Sequence, residues 1–377
     1  MLKIVVDDKI PFLKDILEPY AEVVYIPGRK IDRASIYNAD ALLIRTRTIC
    51  NENLLRGTSV KFIATATIGF DHIDTAFCDK NNIKWISSPG CNSSSVEQYI
   101  ASVLFTLAEI HDFQLKDKTI GIIGVGNVGS KIEKLANNLG LNIILNDPPR
   151  AAVEGNFKFA DLDFLLHNAD IVSVHVPLIK GGEFNTEHLI DENNLSKMKN
   201  GAILINSSRG EVVETQYLKV AIKENKFLGV VLDVWENEPN IDLELLNIVD
   251  IATPHIAGYS ADGKANGTSM IVNALSKFFN LRFKKWYPEN IPLPLQNEII
   301  IDATDKQIDE ITAQAIFHTY KVLDDDDTLR KSPWTFEMHR GNYPLRREFP
   351  AFTVDLQNGN NEQLTVLKNL GFNIKQQ

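Results

Sequence analysis

Between Thr119 and Asp147 the chain reads TIGIIGVGNVGSKIEKLANNLGLNIILND: an apolar run, three spaced glycines, a helical pattern, and a second apolar run closing on an acid. Few folds accept that order. The backbone must turn tightly at Gly124, approach a ligand without a side chain at Gly126, and pack helix on strand at Gly129. With Asp147 about twenty residues on, Gly124-x-Gly126-x-x-Gly129 stands in the context of a dinucleotide-binding βαβ unit. Asn127 and Val128 complete the turn, the free N–H groups of the helix start would meet the pyrophosphate, and the carboxylate would meet the ribose hydroxyls. Asp147 should repel a 2′-phosphate, so NAD is expected over NADP, and Arg150 nearby weakens this preference.

The same alternation runs through most of the chain. Before this unit, LKIVV, EVVYIP, ALLIRT, KFIATAT and IKWIS read as strands of a small parallel sheet; after it, DIVSVHVP, AILINSS, GVVLDVW and DIATP continue a larger one. Strands this apolar are buried on both faces. A helix is expected over SSVEQYIASVLFTLAEIHDF behind a Ser94-x-x-Glu97 capping box, and another over ADGKANGTSMIVNALSKFFN, leading back to the first domain. WYPENIPLPLQ reads as a linker, and a third domain of mixed strand and helix follows it. In that tail the run Asp324 to Asp327 is expected to be a solvated loop. The fold class is therefore α/β, with a discontinuous substrate domain (1–92 plus 258–286), a doubly wound NAD domain (93–257) and a C-terminal domain (287–377).

Composition limits the partners. A length of 377 residues exceeds what one hydrophobic core supports, and a formal charge of −10 disfavours a nucleic-acid backbone. Cys50, Cys78 and Cys91 have the spacing of neither a zinc site nor a disulfide framework, which fits a reducing cytoplasm and no metal. Asp7 and Asp8 interrupt the N-terminal apolar run, and no later run is long enough for a membrane span, so neither export nor a membrane is expected.

Three ionisable residues fall at the C-terminal ends of successive expected strands, the edge where open parallel sheets bind ligands: Arg209 after ILINSS, Glu238 after VVLDVW and His255 after DIATP. Singly each has a bland reading as a surface charge, a loop acid or a core histidine. Together they supply what hydride transfer from a 2-hydroxy acid needs. An imidazole takes the hydroxyl proton, a carboxylate orients the ring, and a guanidinium fork matches the substrate carboxylate. His72 and His175 are read as structural.

The set GVGNVG, SSRG, DVWENEP and TPHIAGYS resembles the D-isomer-specific 2-hydroxyacid dehydrogenases, whose Arg, Glu and His match Arg209, Glu238 and His255. Within that family, TATIGFDHID, SSPGCNSSSVEQY, NDPPR and the tail resemble the members that oxidise 4-phospho-D-erythronate to 2-oxo-3-hydroxy-4-phosphobutanoate in pyridoxal 5′-phosphate (vitamin B6) biosynthesis. NSSRG departs from the Ala-Cys that often precedes the family arginine. The resemblance implies a Rossmann-type NAD domain, a flavodoxin-like substrate domain, an α+β dimerisation tail and hence a homodimer. It also implies substrate contacts at Thr46, Thr67 and Tyr259, and NAD contacts at Asp147, Val176, Asp233 and Gly258. Arg45, with Arg47 second, is the candidate for the substrate phosphate. A 3-phosphoglycerate dehydrogenase and a non-catalytic NADH-sensing protein on the same fold remain alternatives.

Overall fold

Every apolar run read as a strand is one in the computed structural model, which describes residues 1–155 and 157–375. The chain divides into two compact units, residues 1–92 with 260–292, and residues 93–259 with 293–377.

In the first unit β1 (Lys3–Asp7), β2 (Glu22–Ile26), β3 (Ala41–Ile44), β4 (Phe62–Thr65) and β5 (Lys84–Ile86) form a parallel sheet in the order β2-β1-β3-β4-β5. That is the flavodoxin-like order. Strand periodicity decides which side chains face which layer. Ile4, Val6 and Leu43 pack with Ile271, Val272 and Leu275 of the helix Ala261–Phe279, whereas Val5, Leu42 and Ile44 pack with Ile36 and Leu55 on the other face. Ser260 caps that helix, its Oγ accepting the Gly263 N–H at 2.7 Å, and Asn280 ends it in the left-handed region at φ 54°. Gly267 is there for closeness: a Cβ would lie 2.8 Å from the Ala66 carbonyl oxygen, just past β4.

The second unit holds β6 (Thr119–Ile123), β7 (Asn142–Asn146), β8 (Ile171–Val174), β9 (Ala202–Asn206), β10 (Phe227–Leu232) and β11 (Ile251–Ala252), all parallel, in the order β11-β10-β9-β8-β6-β7. The order reverses at β6, so the turn after β6 lies at a topological switch point, where such sheets bind ligands. A doubly wound sheet has a further strand beyond β7. Here that place is taken by a short stretch at Ala160, whose N–H reaches the Leu145 carbonyl at 2.7 Å and whose carbonyl accepts from Asn146 Nδ2 at 2.8 Å.

Residues 293–375 of this unit add a small parallel sheet, β12 (Glu298–Asp302), β13 (Thr353–Gln357) and β14 (Asn373–Ile374). Its Ile299, Ile301, Val354 and Leu356 share one core with Ile316 and Leu367 of covering helices and with Tyr99, Leu104 and Ile256 of the coenzyme region. A continuous core explains why the tail groups with residues 93–259.

Two local expectations are corrected. The long helix runs Ser93–His111, so Ser94 lies inside its first turn, and Glu97 pairs with Lys131 at 3.5 Å. The acidic run Asp324 to Asp327 is no loop but part of the helix Val322–Lys331. Asp325 Oδ2 accepts from the hydroxyls of Tyr320 and Tyr343 at 2.8 and 2.7 Å, and burial raises its pKa. Asp326 accepts from the backbone N–H of Ala252 at 2.6 Å and from Arg330 Nε at 2.9 Å. Two of these partners, Tyr343 and Ala252, are distant in sequence, and a local charge rule does not register them. Among the described residues no helix is long and apolar enough to cross a membrane, and no cluster of His, Cys, Asp and Glu is placed to hold a metal ion.

Candidate active site

The three glycines after β6 have three different steric reasons. Gly124 sits at φ 86°, and a Cβ there would come within 2.8 Å of Val176 Cγ1 and 2.9 Å of the His175 backbone. A Cβ on Gly129 would be 2.0 Å from the Gly124 carbonyl oxygen, so this position closes the helix onto the strand. A Cβ on Gly126 meets nothing within 4 Å, which leaves open space at the start of the helix Asn127–Asn138. No side chain caps that helix, so its first N–H groups, including those of Asn127 and Val128, remain available to an anion.

Asp147 follows β7 and is 9% exposed. It accepts the N–H of Val125 at 2.7 Å and of Arg150 at 3.0 Å, which ties the glycine turn to the end of the next strand. Beside it lies a cavity of about 550 Å³ whose walls include Ala151, Phe159 and Phe164. Arg150 is committed elsewhere: it forms a two-pronged pair with Glu154 at 2.6 and 2.7 Å and donates to the Val125 carbonyl at 2.6 Å. Arg150, the cation that would favour a 2′-phosphate, is thus already matched to a carboxylate. These residues fit NAD.

Arg209 sits in a turn built by Asn206 at the end of β9. The Asn206 Oδ1 accepts from the N–H and hydroxyl of Ser208 at 3.0 and 2.8 Å, and its Nδ2 donates to the Arg209 carbonyl at 2.9 Å. Arg209 Nη1 donates to the Ser208 carbonyl at 2.8 Å. At Gly210 a Cβ would fall 1.9 Å from the Trp235 carbonyl carbon, so the arginine turn lies directly on the loop that carries Glu238. The signal for both Asn206 and Gly210 was present in NSSRG, as a short amide at a strand end and a glycine after the arginine.

Glu238 Oε2 meets His255 Nδ1 at 2.7 Å, and Oε1 accepts the Trp235 N–H at 3.0 Å. Burial works to raise the Glu238 pKa, but the hydrogen bond and charge of His255 outweigh it, and the net direction is down. His255 has φ 56°, and its N–H reaches the Asp233 carbonyl at 2.7 Å. A left-handed histidine of this kind costs on the order of 1–3 kcal/mol and persists only where its surroundings over-determine it. Its Nε2 bonds to no described residue, and the side chain is 29% exposed.

Asp233 lies beneath this loop. Its carboxylate accepts from the N–H groups of Ile256 and Ala257 at 2.8 and 2.9 Å and from the Thr253 hydroxyl at 2.6 Å. Its burial raises its pKa against those contacts. Gly258 and Tyr259 follow, with the Tyr259 ring edge-on to Tyr343 at 5.7 Å. His175 is structural, with Nε2 2.8 Å from the Ser173 hydroxyl and a pKa pushed down to about 3 by burial.

In the first unit Arg45, Thr46 and Thr67 lie just past the C-terminal ends of β3 and β4. Arg45 Nη1 donates to the Lys9 carbonyl at 3.2 Å, and Thr46 is exposed. Thr67 Oγ1 is 2.7 Å from Thr65 Oγ1, which in turn is 3.1 Å from His72 Nε2. His72 therefore supports a threonine pair, a structural place that agrees with its reading from sequence.

Residues 96–257 match the model of the D-isomer specific 2-hydroxyacid dehydrogenase NAD binding domain, and residues 293–371 match a domain of unknown function. Erythronate-4-phosphate dehydrogenase of Bacteroides fragilis is 48% identical over 94% of this chain and 99% of its own length. That of Proteus mirabilis is 43% identical over 99% of both. Among solved structures, D-lactate dehydrogenase of Aquifex aeolicus, complexed with NAD and lactic acid, superposes with a TM-score of 0.62 at 27% identity, covering 74% of this chain and 95% of that one. The chain belongs to the erythronate-4-phosphate dehydrogenases, a branch of the D-isomer specific 2-hydroxyacid dehydrogenases.

Proposed function

We propose that this enzyme oxidises 4-phospho-D-erythronate to 2-oxo-3-hydroxy-4-phosphobutanoate, a step of pyridoxal 5′-phosphate biosynthesis, with His255, Glu238 and Arg209 as its catalytic residues. The observation that carries the site assignment is the 2.7 Å contact between His255 Nδ1 and Glu238 Oε2. It fixes the ring through one nitrogen and leaves Nε2 to take the C2 hydroxyl proton. NAD held at the Gly124–Gly129 turn would supply the acceptor for the C2 hydride. Glu238 stays ionised and stabilises the imidazolium as it forms, and the Arg209 fork holds the substrate carboxylate beside the forming carbonyl. Asp147 would hold the adenosine ribose, and Val176, Asp233 and Gly258 are assigned to the same coenzyme.

Tyr259, Thr46 and Thr67 are assigned to the substrate, and Arg45, with Arg47 second, to its phosphate. The division into a substrate domain, a coenzyme domain and a C-terminal domain is kept as the functional one, since the tail has a sheet of its own. A homodimer through the tail is supported by Ile300, 61% exposed on the outer side of β12, and by Trp334 at 80%. A cytoplasmic location is supported by three cysteines that are thiols and not disulfides.

The test is NAD reduction followed by absorbance with 4-phospho-D-erythronate and with 3-phosphoglycerate. The reading expects the first to have the higher kcat/KM, and Arg45→Ala to raise its KM. A preference for phosphoglycerate would end the substrate assignment, and an unchanged KM would end that of Arg45.

A further inference from the structure

The segment that leaves β11 carries His255 and Tyr259, and its backbone is gripped from two sides. Asp233 takes the N–H groups of Ile256 and Ala257, as described above. The carbonyl oxygens of the same two residues accept from one guanidinium, that of Arg346, with Nη2 2.5 Å from the Ala257 oxygen and Nη1 3.4 Å from that of Ile256. The same Nη2 reaches the Ser95 carbonyl at 2.9 Å. Arg346 comes from the C-terminal tail, is 5% exposed, and stacks its guanidinium 4.4 Å from the centre of the Tyr320 ring.

Such an arrangement is hard to justify by stability alone. Taking a guanidinium out of water costs several kcal/mol, and buried charges are often replaced by apolar residues without loss of stability. What the charge supplies here is a fixed geometry for two successive peptide units. The tail also holds the chain upstream of the histidine, since Asp326 accepts the Ala252 N–H on β11, the edge strand of its sheet. Downstream, Tyr343 meets the Tyr259 ring edge-on and Arg340 lies 5.8 Å from the centre of its face. The strained residue between these anchors is His255.

We propose that the C-terminal domain of unknown function is a positioning element of the active site, and that Arg346 is the positioning residue that fixes the 255–259 loop and so aims His255. The proposal rests on His255 being the base. It assigns the tail a task within its own chain, separate from any role in pairing subunits.

The experiment measures the single-turnover rate of NADH formation from 4-phospho-D-erythronate and NAD, beside NADH affinity and the thermal unfolding midpoint. Arg346→Met should slow the turnover about 100-fold, the loss that a misplacement of about an ångström produces, with NADH affinity within a few-fold of wild type. Arg346→Lys, which keeps the charge, should recover about tenfold of that loss. Val354→Ala, in the core of β13, should lower the unfolding midpoint but leave the rate per folded molecule unchanged. Wild-type turnover in Arg346→Met, or an equal loss in Val354→Ala, would overturn the proposal. Should Arg346→Met not fold, Arg340→Gln decides: about threefold slower turnover supports the positioning role, and an unchanged rate refutes it. His255→Asn is run in parallel, and wild-type turnover there would remove the site assignment itself, a failure distinct from that of Arg346.

Discussion

Two histidine–glutamate pairs stand in the coenzyme-binding unit, and by distance alone they are the same. His255 meets Glu238 at 2.7 Å and His188 meets Glu236 at 2.8 Å, the two carboxylates being two residues apart in Trp235-Glu-Asn-Glu-Pro239. Both histidines have left-handed backbone, at φ 56° and 51°. The difference lies in what each pair fastens. Glu236 also accepts the N–H of Thr215 at 3.1 Å, the first residue of the helix Thr215–Lys223, and the His188 N–H reaches the Glu211 carbonyl at 2.7 Å. That pair pins loops to one another. Glu238 takes its second hydrogen bond from Trp235 in its own loop, so its carboxylate is fixed relative to β10 and holds only the ring. A short contact between histidine and carboxylate is therefore not sufficient by itself; what singles out His255 as the proposed base is that its contact lies past the strand ends beside the turn of Arg209.

Substitutions should separate the pairs sharply. His255→Asn is expected to lower kcat by about 10²–10⁴-fold while NADH still binds, the range for loss of a general base. Glu238→Gln should follow with about a 10²-fold loss, because an amide keeps the shape but does not stabilise an imidazolium, and steady-state kinetics would show it in kcat more than in KM. Arg209→Lys should reduce kcat/KM by roughly tenfold or more, since a point charge replaces a fork, and recovery of full activity would contradict the carboxylate assignment. The smallest effect belongs to His188→Asn: kcat within about twofold of wild type and a stability loss of about 0.5 kcal/mol, modest because the imidazole is 42% exposed.

That last loss should depend on pH. Burial works to raise the Glu236 pKa, but its hydrogen bonds from Thr215 and His188 leave it lowered overall. A lowered folded value means a stabilising contribution that is present above the ordinary glutamate range and disappears as pH falls through the folded value. Urea unfolding of the wild type and His188→Asn should therefore differ just above that range and converge below it.

Much of this was legible because it is local. Central strands such as ALLI and FIAT are buried along their whole length and so read as continuous apolar runs, and the glycines at 124, 126 and 129 announce a turn whatever surrounds them. Arg209, Glu238 and His255 were singled out because each lies a few residues past the end of a strand. What escaped is long-range. Asp325 and Asp326 looked like a solvated run, yet their partners are Tyr343, Ala252 and Arg330, and only a fold brings the first two near. Arg346 gave no sign at all, because it reads backbone carbonyls ninety or so residues away, and a carbonyl has no letter in the sequence. The acidic pair in WENEP is the intermediate case. Its place after the strand singled out Glu238, and the family resemblance agreed, although position alone would also have admitted Glu236.

The central claim is that Glu238 holds the His255 ring by Nδ1 so that Nε2 is bare and ready for a proton. Nitrogen NMR of the folded enzyme with labelled histidine, assigned by comparison with His255→Asn, reads this directly at a pH where the ring is neutral. The account predicts a protonated Nδ1 and an unprotonated Nε2 for His255, and loss of that preference in Glu238→Gln. A ring carrying its proton on Nε2 in the wild-type enzyme would contradict it.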